Sequence, residues 1–486
     1  MAILDDFESG KAAPASIIRN YGSYYVWITP DGNETYFQNK YPRGNGWTLI
    51  ETKDLLLGNS LFVSSAGKTV ANGAIRESLT NHFSNLEEAR DAALAGDTIY
   101  VRGDHTVGSN LAKDNVGYWF LGRPTITYNS GVAYSYMWGD GGVDMTINVK
   151  GDAIFLSPTT DRQVIDISGA NTNYNIDCYQ IIGAGGIVVF IQGGTDESAI
   201  KVENKIDNTV NGNNIRLGGN AKGSIICPLM TNTATVGSRS TLFLRAFTGN
   251  FKIVGDLKND SFDGTQAPMT VAISDGGTGT INIIGDVYAE PNVDIGTFGT
   301  TAAILIDAGS YKVNLTGDVY GYYKHCFEIS SVGGTNDCVL THVGNQINIA
   351  GIGITTVRPC VLISSQDSPN LSFNGIIHST FATSVIKTTQ LRGVLRIAGS
   401  VISSLNDALK PAAVGIDLSD SANYEVILRS LDIQVKQPKA TPYGISASSN
   451  KDIKVFDVVG SNVGYNNITN LIVGTIFITD SNYLTF

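Results

Sequence analysis

One short pattern of hydrophobic and polar positions organises the chain: apolar, any, apolar, any, Gly, any, apolar. Ile147, Val149, Gly151 and Ala153 fit it, as do Phe251, Ile253, Gly255 and Leu257. Ile281, Ile283, Gly285 and Val287 repeat it, followed by Val313, Leu315, Gly317 and Val319. Two later copies are Leu371, Phe373, Gly375 and Ile377, and Leu395, Ile397, Gly399 and Val401. Weaker copies surround Gly183, Gly219 and, in QINIAGIG, Gly351. Period-2 alternation places the apolar residues on one face of a strand, and the glycine permits a bend where the strand changes direction.

Glycines 255, 285, 317, 351, 375 and 399 lie 30, 32, 34, 24 and 24 residues apart. That spacing fits one turn of a solenoid rather than a propeller blade of about 40 or more residues. A second apolar run precedes four of these glycines by eleven to fourteen residues: Val271 to Ile273, Ile304 to Ile306, Val361 to Ile363, and Val385 with Ile386. One such coil cannot bury its apolar face alone. Stacking coils at ~4.8 Å closes the backbone ladder between neighbours, and about ten coils make a rod of ~50 Å. Beyond Gly399 the pattern loosens but continues to TIFITDSNYLTF. The fold expected is all-β, a right-handed single-stranded parallel β-helix occupying residues 129–486.

Two segments precede that shaft. In SNLEEARDAALAG, Ser84 and Glu87 form an SxxE capping box, Leu86, Ala89 and Ala93 share a face, and Gly96 ends the helix. A short helix here would cover the first open coil. Residues 1–60 crowd Tyr21, Tyr24, Tyr25, Trp27, Tyr36, Phe37, Tyr41 and Trp47 between turn signals such as TPDGN and YPRGNG, which predicts a small β-rich module.

Composition sharpens this picture. With 54 Gly and 13 Pro the chain favours tight turns and short strands over helices. A net charge of -11, without a dense Lys/Arg stripe, repels phosphate backbones and argues against nucleic-acid partners. Cys178, Cys227, Cys326, Cys338 and Cys360 are odd in number and lack CxxC spacing, so buried reduced thiols are expected in place of disulfides or zinc. MAILDDFESGKAAPAS is acidic where a signal peptide is basic, and no run approaches the ~18 apolar residues of a membrane span. No membrane insertion and no cofactor are expected.

Candidate chemistry is sparse. Asp256, Asp286 and Asp318 follow the glycines of successive coils, with Asp152 at the same place further back. Carboxylates stacked ~4.8 Å apart repel by roughly 3.5 kcal/mol at an effective dielectric of 20, but by roughly 0.9 kcal/mol in water. Burial would demand a cation or a shared proton; exposure in a turn demands nothing. Tyr288 and Tyr320 share a neighbouring column, suited either to stacking on sugar rings or to stabilising the ladder. His325, Cys326, Cys338 and His342 flank the insertion SVGGTNDCVLTHV without matching a zinc signature, and buried cysteines with surface histidines are expected. No metal site is assigned.

Residues 61–128 resemble the opening segment of pectate-lyase-like right-handed β-helices, particularly those of bacteriophage tail spikes and tail fibres. The steps of that segment read FVSS, SNLEEARDAAL, GDTIYV, RGDHTV, SNLAKDNVGYWF and TITY. The resemblance implies a virion protein, made in the host cytoplasm, that contacts host surface polysaccharide. It also implies a homotrimer, docked to other virion proteins through residues 1–60. Exposed side chains such as Tyr322, Tyr323, Phe327, Tyr443 and Tyr483 would supply its lateral interface. A polysaccharide lyase or glycoside hydrolase on the same fold is the alternative, with Asp256, Asp286 and Asp318 as acids. A bacterial surface adhesin is a third reading.

Overall fold

The alternating segments form strands, and each pairs in parallel with its counterpart one coil later. A computed structural model describes residues 85–234 without a break, residues 240–403 with gaps, and separate strands before and after those ranges. The architecture is a parallel β-solenoid with one short helix near its start.

Two sheets build it. One has thirteen parallel strands in chain order, beginning at Ser135–Gly139, passing through Val271–Ser274 and His325–Ser330, and reaching Asn470–Val473. A sheet of twenty-three strands carries the predicted repeats. Asn250–Asn259 pairs in parallel with Thr280–Ile284 and Val287–Ala289, which pair in turn with Lys312–Thr316 and Val319–Tyr322. The register sets Ile281 beside Val313 and Ile283 beside Leu315, so the apolar positions stack into buried interior columns. Full burial of each such side chain contributes about 1.5–3 kcal/mol.

The glycines mark a corner where the chain approaches itself. Gly317 has φ +142, and a Cβ built on it would lie 2.1 Å from the carbonyl oxygen of Gly285. Gly285 stands in the same relation to Gly255, and Gly375 to Gly344. No residue with a Cβ fits this corner without displacing the coil beneath it. Gly344, not Gly351, is therefore the member between Gly317 and Gly375. Gly351 lies outside the described residues. Gly183 and Gly219 are not members either: Gly183 pairs with Asn208 at another corner, and Gly219 follows the strand Asn213–Gly218 of the thirteen-stranded sheet. The coils there turn by register shifts, such as that between Ile226 and Leu229.

At the start, Ser60–Ser64 pairs in parallel with Thr98–Arg102. The helix Leu86–Ala92 buries Leu86 and Ala89, with Ala93 buried just beyond. Its N-cap is Asn85, whose side chain accepts from Glu87 N at 2.7 Å. Ser84 lies outside the described residues, and the capping box is replaced because Glu87 turns outward and accepts from Gly108 N at 3.0 Å. The helix closes at Ala93, before Gly96. Within residues 1–60, Tyr25–Ile28 forms an antiparallel three-stranded sheet with Glu34–Phe37 and Thr48–Glu51. The turn segments TPDGN and YPRGNG lie outside the described residues. Among the described residues no helix is long and apolar enough to cross a membrane.

Candidate functional site

The aspartates after the corner glycines do form a column, and its hydrogen bonds explain it. Asp256 Oδ1 accepts from Asp286 N at 2.9 Å, and Asp286 Oδ1 accepts from Asp318 N at 2.8 Å. Asp318 Oδ1 accepts from Asn345 N at 2.8 Å, and Asn345 Oδ1 accepts from Ile376 N at 3.1 Å. Each side chain thus satisfies the backbone N–H that the corner frees on the next coil. The carboxylates are half-buried at the surface.

Tyr288 and Tyr320 complete the ladder. Their rings stack at 4.8 Å with planes 3° apart. Tyr288 Oη donates to Asp286 Oδ2 at 3.0 Å, and Tyr320 Oη donates to Asp318 Oδ2 at 3.3 Å. Burial, then the Asp286 carboxylate, raises the Tyr288 phenol above its ordinary range; burial and Asp318 do the same for Tyr320. These phenols stay protonated and their ring faces meet each other. The column reads as a joint between coils.

The histidine–cysteine group is dispersed in the interior. His342 is fully buried between the rings of Phe327 and Phe373, at 5.2 and 6.4 Å. A carbonyl can only accept, so His342 Nε2 donates to Gly317 O at 2.9 Å, and Nδ1 accepts from Gln346 Nε2 at 3.0 Å. His325 Nδ1 donates to Pro359 O at 2.6 Å. Both histidines are buried rather than at the surface, because each has a backbone carbonyl to satisfy. Burial lowers both to about 4. All five cysteines are buried and free, and burial pushes Cys338 up to about 12. Among the described residues no three His, Cys, Asp or Glu side chains converge as metal ligands.

Of the residues expected to form a lateral interface, Phe327 is fully buried in the core and Tyr322 is half-buried. Phe327 points inward because its strand alternates with Ile329 on the interior face. Tyr323 and the side chains of Tyr443 and Tyr483 lie outside the described residues.

Two groups escaped the sequence reading. One is a polar column at a second corner, where Asn208, Asn232 and Asn259 stack in register and are fully buried. Asn232 Nδ2 donates to Gly212 O at 2.9 Å while its Oδ1 accepts from Ala234 N at 3.1 Å. Asn348, Ser379 and Ser403 continue the column on later coils. A signal was present: Asn259, Asn348, Ser379 and Ser403 each stand four residues after a corner glycine.

The other group lies near the start of the shaft. Asp140 is buried and accepts from Ser168 N, Gly169 N, Gly142 N and Thr172 Oγ1. On the neighbouring strand, burial pushes Asp166 up to about 6; a hydrogen bond from Ser168 opposes this, and the Asp140 charge adds to it. Burial first, then Asp166 and Asp140, raise the phenol of Tyr136 in front of them. Nothing in local sequence marks this trio, since its members are joined by coil stacking. Compared with protein-family models, with curated proteins and with solved structures, the chain shows no match.

Proposed function

We propose that this protein is a bacteriophage tail fibre or tail spike whose β-solenoid shaft reaches host surface glycans. The observation that carries the reading is that the ordered acidic column is taken up in joining coils, through Asp286 N to Asp256 and Asp318 N to Asp286. Such a molecule is built to hold a line rather than to cut a substrate at mid-shaft. The resemblance of residues 61–128 to the opening segment of phage β-helices supports the same reading.

On this proposal the working form is a homotrimer docked to other virion proteins through residues 1–60. Three parallel rods share an interface and hold one axis, and closed cyclic symmetry avoids open polymerisation. Gold-labelled antibody against residues 129–486 should decorate the tails of intact phage particles in electron micrographs. Chain lacking residues 1–60 should sediment as a soluble trimer that no longer joins particles. Tails without label, or a monomeric truncated chain, would remove the corresponding part of the proposal.

A second reading, a polysaccharide-degrading enzyme on the same fold, draws on one observation. Asp166, whose carboxyl is raised to about 6 by burial beside the hydrogen-bonded Asp140, is shifted in the direction a general acid requires. Release of oligosaccharides from host glycan that stops in Asp166→Asn would favour this reading; none at any protein concentration would dismiss it.

A further inference from the structure

Near the start of the shaft, residues 108–110, 128, 130 and 132–136 line an open groove of about 390 Å³. That volume lies at the lower end of the range for small-ligand sites, about 300–1,000 Å³. Both walls are fixed. Asn110 is tied to the end of the strand Ser135–Gly139, with Nδ2 donating to Gly139 O at 2.7 Å and Oδ1 accepting from Gly139 N at 3.1 Å. Tyr134 N donates to Asp161 O of the next coil at 2.8 Å. A ligand would meet an organised surface, so little ordering opposes binding.

The lining has a definite chemistry. Tyr134 and Tyr136 contribute aromatic rings, Tyr128 beneath them belongs to the core, and Tyr134 is 78% exposed. Its backbone sits at φ +58, a conformation uncommon for a bulky residue, which presents the ring to solvent. Ser130 Oγ accepts from Val132 N at 3.1 Å, leaving its O–H to donate. Ser135 Oγ donates to Val132 O at 2.6 Å, leaving its lone pairs to accept. None of the lining residues is charged. Rings with one polar edge, a hydroxyl donor and a hydroxyl acceptor suit a molecule with C–H faces and many hydroxyls. The uncharged lining offers no compensation for desolvating an anion.

We infer that this groove binds a neutral saccharide, with Tyr134 stacked against the sugar ring and Ser130 and Ser135 hydrogen-bonding its hydroxyls. The inference deepens the shaft reading, on which it rests for the cell-surface source of the sugar. It places glycan contact at the opening turns, away from the tyrosines of the ladder.

The test is calorimetric titration of the full chain with neutral gluco-, manno- and galacto-oligosaccharides and, separately, with uronic-acid oligosaccharides. At least one neutral series should bind. Tyr134→Asn keeps a residue that tolerates positive φ and removes the ring, so it should fold normally and weaken binding by about ten-fold or more. Tyr288→Leu should leave affinity unchanged. Absence of binding by every neutral series, equal binding of the uronic acids, or wild-type affinity in Tyr134→Asn would overturn the inference. Unlabelled phage tails together with a groove that binds would sink the shaft reading and leave this one standing.

Discussion

Two regions of this shaft carry neighbouring tyrosines, and they put the same side chain to opposite uses. In the ladder, Asp286 accepts a backbone N–H and a phenol, and Tyr288 lies flat against Tyr320. At the groove, Tyr134 faces water and two serine hydroxyls keep open hydrogen-bonding positions. The difference teaches that residue type does not separate a joint from a site. What separates them is whether the hydrogen-bonding capacity and ring faces are already satisfied within the fold.

If the ladder is a joint, damage there must appear as lost stability with binding intact. Gly317→Ala should have the largest effect, about 3 kcal/mol or more, because the backbone conformation is strained for alanine and the new Cβ meets Gly285 O. Thermal unfolding measures it. Gly122→Ala, also at positive φ but with nothing within 4 Å, should cost only about 1 kcal/mol.

Acid tests the interior next to the ladder. His342 is lowered from 6.5 to about 4, so as pH falls the unfolded chain takes up the proton first. Its contribution is present above about pH 6.5 and lost toward pH 4, amounting to about 3 kcal/mol. Glu328 and Asp166 are raised, to about 7 and about 6, and act oppositely: stability linked to them falls as pH rises through those values. Denaturant melts of wild type and His342→Leu at pH 7 and pH 4.5 isolate the histidine, and the variant should show the smaller loss on acidification.

Asp286→Ala should cost about 2 kcal/mol, since Asp318 N loses its acceptor and the Tyr288 hydroxyl its partner. Chemical denaturation reports the cost, and saccharide affinity should stay at the wild-type value. Depolymerisation of host glycan that vanished in Asp286→Ala or Asp318→Ala would break the comparison by turning the ladder into a site. The smallest change in stability belongs to the groove: Tyr134→Asn should shift unfolding by no more than about 0.5 kcal/mol. Tyr288→Leu should cost about 1 kcal/mol through lost stacking.

The fold was legible wherever alternation was apolar. Ile281, Ile283 and Gly285 announced their coil because both interior positions are hydrophobic. The coil at Gly344 was hidden because its interior positions carry His342 and Gln346, which satisfy each other and Gly317 O. QINIAGIG looked like the better copy, although Gln346 through Ile349 is the segment after the corner rather than before it. The helix was legible from Leu86, Ala89 and Ala93, but its cap was placed one residue early, since Asn85 caps as well as serine. Position told where Asp286 and Tyr288 sit and left their role open. The groove was illegible because its walls come from segments about a coil apart in sequence, and only stacking brings them together.

The way the coils are joined has a mechanical consequence. Backbone hydrogen bonds between coils, such as Gly317 N to Val343 O and Val319 N to Asn345 O, run along the direction in which coils stack. A load along the shaft therefore passes through every layer in series, and the layer that yields first sets the strength of the whole. With His342 neutral, the layer at Gly344 is tied by its imidazole to the carbonyl below; once protonated, that imidazole carries a charge into an apolar interior. Acidification should thus choose where a pulled shaft parts, turning a uniform rod into one with a designated breaking point beside Gly344.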